Sequence, residues 1–136
     1  MPCPLFEPVR AVPNPQHPNA RLPLIEEHDG ICHAAPEPVE TPSELRFQYC
    51  NHGYSVNCCR HLPAEEKRSA LRYSVVAHTD NALELMCVAE KDYAPVYWLR
   101  VQYIVATDQL EPALKDVCMQ AQALAFCRSY LRRFVP

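Results

Sequence analysis

The chain has 136 residues, 49% of them hydrophobic, with 13 basic and 16 acidic side chains and a formal charge of −3. That is enough apolar material for a core and one domain spanning 1–136, and it leaves no basic excess for a nucleic-acid or anionic-membrane surface. No stretch approaches the roughly 20 apolar residues of a membrane helix, and "MPCPLFEPVR" holds no secretory apolar run, so a cytoplasmic chain is expected.

Residues 1–40 carry most of the prolines: ten of the 14 fall within the first 42 positions, while the whole chain has two glycines. Proline removes a backbone donor and fixes φ, so neither helix nor sheet can run far through this segment. Leu5, Phe6, Val9, Val12, Leu22, Leu24 and Ile25 interleave with the prolines. An extended arm docked on the folded body is expected, rather than a floppy tail.

The segment 41–63 opens with helix punctuation. Thr41 stands at an N-cap, Pro42 at the first helical position and Glu44 at the third, which together make a capping box. Gly53 stands where a C-terminal cap would be, which predicts a short helix over 42–52 followed by a Cys/His loop. The stretch 64–72, "AEEKRSALR", reads as a solvated helical turn.

From residue 71 the apolar period becomes two. Leu71, Tyr73 and Val75, then Leu83, Leu85 and Cys87, then Tyr97, Leu99, Val101 and Tyr103 each line one side of a strand. Residues 71–105 are thus expected to form a three-stranded antiparallel meander. Trp98, Arg100 and Gln102 would lie on its opposite face, a surface for a protein partner or for the arm. The sheet edges would allow a homodimer. Residues 110–134 have the helical period, with Leu110, Leu114, Val117, Ala121, Leu124 and Leu131 on one face. The fold class is α+β: a proline-rich arm, a short helix with a Cys-rich loop, three strands and a long C-terminal helix packed on the sheet.

The chemistry concentrates in sulfur. "RFQYCNHGYSVNCCRHLP" holds Cys50, Cys58, Cys59, His52 and His61, and "ICH" places Cys32 beside His33. In a reducing compartment such clusters are more often ligands or catalysts than disulfides. A metal ion bound by Cys32, Cys50, Cys59 and Cys127 would fasten the irregular front half to the ordered back half. His61, His52, Cys58 and Cys3 are the alternatives for the fourth ligand. Zinc is favoured slightly over a 4Fe-4S cluster, since the spacing matches no known finger and loose four-cysteine ligation also suits iron–sulfur. The role would be structural or electron-handling.

Two rivals use the same residues. A thiol enzyme or redox sensor would employ Cys58 or Cys59 with His61, or Cys50 with His52. It lacks a nucleophile elbow, a glycine-rich oxyanion loop and an orienting-acid motif. A cofactor-free interaction module would treat every cysteine as a small core hydrophobe. That description is expected outright for Cys87 and Cys118, while His17, His28 and His78 read as surface or turn residues.

Overall fold

The computed structural model describes residues 2–34, 37–52 and 69–135. Its order is β1 (Phe6–Ala11), β2 (His28–Cys32), β3 (Val39–Glu40), α1 (Ser43–Leu45) running into a π-helical turn (Arg46–Asn51), β4 (Ser69–His78), β5 (Ala82–Lys91), β6 (Ala94–Ile104), β7 (Gln109–Glu111) and α2 (Val117–Phe134). The α+β class holds. The expected three-stranded meander is one strand short, because β4-β5-β6-β7 form a four-stranded antiparallel sheet and β1-β2-β3 form a second sheet.

The second sheet lies within the arm. β1 pairs with β2 although Pro8 sits inside it, and the register slips between Pro8 and Arg10. Proline is tolerated there because β1 is an edge strand and the slip absorbs the missing donor. Gly30 opposite Pro8 makes the approach feasible: a Cβ at this position would lie 2.0 Å from the Glu7 carbonyl oxygen. The arm also turns sharply at Leu22–Ile25, where Ile25 takes φ 74° and Leu24 becomes wholly buried. Phe6, Leu22 and Leu24 dock as the apolar interleaving predicts; Val9 stays exposed.

The short helix differs from its predicted form. Thr41 does not cap it; its N–H and hydroxyl both reach the Gly30 carbonyl, at 3.0 and 3.4 Å, and Pro42 is the N-cap. After three α residues the chain widens to i→i+5 bonding, shown by the His52 N–H on the Phe47 carbonyl at 3.3 Å. Gly53, the expected cap, lies outside the described residues, as do positions 64–68. Ser69 to Arg72, read as the end of a helical turn, begin β4.

In the four-stranded sheet the alternation places most of the inward residues as predicted, but Tyr97 and Leu99, expected on the inward face of β6, are exposed. Leu83, Leu85, Cys87, Val101 and Tyr103 are buried in one cluster with Leu71, Tyr73, Phe126 and Cys127. The β4–β5 turn is held by Thr79, whose hydroxyl accepts the N–H groups of Asn81 and Ala82 at 3.3 and 3.1 Å. The β5–β6 turn has Asp92 and Tyr93 both at positive φ, the conformation that suits the twist of a two-residue hairpin. β7, Gln109–Glu111, takes residues 110 and 111 out of the predicted helix.

α2 starts only at Val117, capped by Asp116, whose carboxylate accepts the Met119 N–H at 2.8 Å. Its buried face is Cys118, Met119, Gln122, Ala123, Ala125, Phe126, Cys127 and Ser129, whereas the expected face residue Val117 is exposed. The helix is covered from two directions. Gln122 donates to the Cys3 and Phe6 carbonyls at 2.7 and 2.8 Å and accepts from the Tyr73 hydroxyl at 2.9 Å. One buried amide therefore ties the arm, the helix and the sheet together. Small residues at 118, 123, 125 and 129 allow this double contact. At the other end Arg132 and Arg133 bond Glu26 of the arm, at 2.6 and 3.2 Å for the closest pairs.

Candidate metal centre

The six described cysteines divide into two groups. Cys3 lies against Cys50: the Cys3 N–H donates to the Cys50 carbonyl at 3.1 Å. Three residues on, Phe6 is the register partner of Cys32, and the His33 N–H returns to the Leu5 carbonyl at 2.9 Å. Cys118, in the first turn of α2, belongs to the same neighbourhood. Burial pushes its thiol up to about 12, and Asp116, Glu7, Cys3 and Cys32 add to the rise. Cys3 thus lies near Cys50 on one side and near Cys118 on the other, and Cys32 also lies near Cys118. Cys3, Cys32 and Cys50 are half-buried, and Cys118 is buried.

Cys127 belongs to the other group. It is fully buried, and its thiol is pushed up to about 12 by burial and by nearby Cys87. Nine residues of helix, about 13 Å, separate it from Cys118. The structure therefore sets Cys127 in the core with Cys87, and it is Cys3 of the arm that accompanies Cys50. Cys87 is likewise raised to about 12 by burial. Thiols held so high are neutral near pH 7 and make poor nucleophiles. Cys58, Cys59 and His61 lie outside the described residues. Among the described residues no three His, Cys, Asp or Glu side chains are already grouped as ligands of a metal ion.

Asn51 positions Cys50. It is fully buried, accepts the His28 N–H at 2.8 Å, and donates to the carbonyls of His28 and Arg46, each at 2.9 Å. Its amide acts as a one-residue strand that fixes the π-turn to β2, and Cys50 is the preceding residue. Arg46 is secured in turn by Glu27 at 2.9 Å. A polar cleft of about 580 Å³ opens between residues 12–17 and 43–48, lined in part by Arg46, Phe47 and His17. The Glu27 carboxylate already occupies the Arg46 guanidinium, so this cleft offers an anion little.

His28, expected at the surface, is buried and bonds the Glu26 carbonyl through Nδ1 at 2.8 Å. Burial lowers its pKa. Glu26 is also lowered: burial opposes this, but the hydrogen bonds from Arg132 and Ser129 and the charge of Arg132 prevail. Both shifts mean that the unfolded chain binds more protons than the folded one, so stability falls as pH falls. The loss attributable to His28 begins below its ordinary value of 6.5, and that of Glu26 follows below 4.5. Urea midpoints should therefore drop in two stages between neutral pH and pH 4. A midpoint that stays flat from pH 7 to 5 would refute the burial of a neutral His28.

Comparison with protein-family models, with curated proteins and with solved structures finds no match to this chain. No described helix is long and apolar enough to cross a membrane. Of the predicted ligands, Cys50 meets the arm at Cys3 and Cys32 meets it at Phe6. Cys3 and Cys118 are the residues that sequence spacing under-weighted. Cys3 had one signal: a cysteine set among prolines at 2 and 4 in an arm whose next residues, Leu5 and Phe6, are apolar.

Proposed function

We propose that this chain is a small metal-binding protein whose centre uses Cys3, Cys32 and Cys50, with a fourth ligand from the Cys58, Cys59 and His61 group of the sequence. Zinc is favoured over an iron–sulfur cluster, and the role is structural or electron-handling. The observation that carries this reading is the backbone bond from Cys3 to Cys50 beside the Phe6–Cys32 register. It supports the reading by joining the arm to the π-turn at Cys3 and Cys50 and to β2 at Phe6 and Cys32, segments none of which has a long backbone ladder of its own. An ion drawing these thiolates to about 2.3 Å would complete the join, and its binding energy would appear as folding energy. Cys127 is not part of this proposal.

The test is a substitution series with metal content and thermal midpoint read together. Cys3→Ser, Cys32→Ser and Cys50→Ser should each lose bound metal and lower the midpoint. Cys127→Ser should keep the metal and lose stability only through packing. Full metal content in Cys3→Ser or Cys50→Ser overturns the assignment.

A further inference from the structure

The edge of β6 has a use that the metal reading leaves untouched. β6 runs from Ala94 to Ile104, but β7 pairs only with Gln102, Tyr103 and Ile104. β7 ends at Glu111, opposite Gln102. Residues 94–101 therefore have β5 on one side and no partner strand on the other among the described residues.

The direction of their backbone groups follows from one bond. The Val105 N–H donates to the Asn81 carbonyl at 3.0 Å, just past the end of the β5–β6 ladder. Alternation then turns Tyr97, Leu99 and Val101 toward β5, and turns the N–H and C=O of Trp98 and Arg100 toward the open side. Gln102 and Ile104 share that parity, and they are the residues that meet β7.

This edge is apolar. Val96, Tyr97, Trp98 and Leu99 are 67%, 46%, 60% and 39% exposed, whereas β4, the opposite edge of the sheet, exposes only Val76 among large hydrophobics. The usual protection of an edge by lysines is missing, and the one charge, Arg100, is taken by Glu84 within the same chain at 3.2 Å.

We propose that this edge of β6 pairs antiparallel with the same edge of a second copy of the chain, about a two-fold axis near Trp98, joining two four-stranded sheets into one of eight. The segment is complementary to itself. With the axis at residue 97, 98 or 99, Arg100 falls opposite Ala94, Val96 or Trp98 and never opposite another arginine, so no like charges meet. The outward N–H and C=O groups of Trp98 and Arg100 find partners, and the half-exposed Tyr97 and Leu99 become continuous with the same residues of the other copy. The pairing uses this edge of β6 on both copies about a two-fold axis, so this contact closes as a dimer. An interface of this extent lies at the small end of stable ones, and a micromolar dissociation constant is expected.

Sedimentation velocity on the full chain, from low to high micromolar concentration, tests this. The 15.5 kDa species should give way to one of twice the mass. Trp98 is the only tryptophan, so its emission should shift to the blue over the same range. Trp98→Lys should weaken association at least about tenfold, a loss of about 1.4 kcal/mol. Val96→Lys should do the same and serves if Trp98→Lys does not fold. Val76→Lys, on the opposite edge, should leave association unchanged. A monomer at every concentration overturns the proposal, as does undiminished association of the folded Trp98→Lys or Val96→Lys chain, or equal loss in Val76→Lys. None of these outcomes depends on metal content.

Discussion

Gln122→Met should destabilise the protein by about 3 kcal/mol or more while leaving its shape nearly unchanged. The substitution keeps the length of the side chain and removes only its polar atoms. Two groups then lose their partner in a buried site, the Phe6 carbonyl and the Tyr73 hydroxyl, while the Cys3 carbonyl loses one bond and keeps the Phe6 N–H at 3.1 Å. Each unsatisfied buried group costs on the order of 1–3 kcal/mol, and the thioether can replace none of these bonds well. Urea unfolding monitored by circular dichroism would read the loss as a lower midpoint with an unchanged slope. Gln102→Met, at an exposed position of β6, is the control and should fall within about 0.5 kcal/mol of wild type. If Gln122→Met behaves like Gln102→Met, the amide is not the node that joins arm, helix and sheet.

Asn51→Leu should be comparably damaging, by about 3 kcal/mol, through the same kind of loss in a different place. Leucine fills nearly the same volume, but it leaves the His28 N–H, the His28 carbonyl and the Arg46 carbonyl without their bonds. The damage should also be local in a way that Gln122→Met is not. With the π-turn released from β2, Cys50 loses its fixed position beside Cys3, so metal affinity should fall along with the unfolding midpoint. Stability loss with wild-type metal affinity would show that Asn51 does not position Cys50.

These two amides explain why the sequence was readable in some places and opaque in others. The strands β4, β5 and the C-terminal part of β6 were legible because one face is buried there, and a period of two then survives in Leu83, Leu85 and Cys87 or Val101 and Tyr103. β7 has three residues, too few to carry a period. β1 and β2 were hidden by Pro8 and by Gly30, which look like breakers until the register places them opposite each other. The start and buried face of α2 were misjudged for a related reason. Val117 is apolar yet exposed, and Gln122 is polar yet buried, because the helix meets the arm as well as the sheet. Hydrophobic periodicity assumes one covering surface, and it cannot foresee an amide whose bonds are all internal.

For the candidate site, the sequence offers ligand types but not which of them meet. Cys32 and Cys50 stood out by their company of histidines, and the structure sets both near the arm. Cys127 seemed available because it recurs with Leu124 and Leu131, but that spacing is equally a core spacing, and Cys87 is what it meets. Cys3 could not be ranked from sequence, since its approach to Cys50 depends on a chain reversal 47 residues long.

X-ray absorption at the metal edge of freshly purified protein is the most direct check on the cysteine centre. A first shell of at least three sulfur atoms at about 2.3 Å is the predicted result. Protein that arrives without zinc or iron, or a shell made only of nitrogen and oxygen, would contradict it.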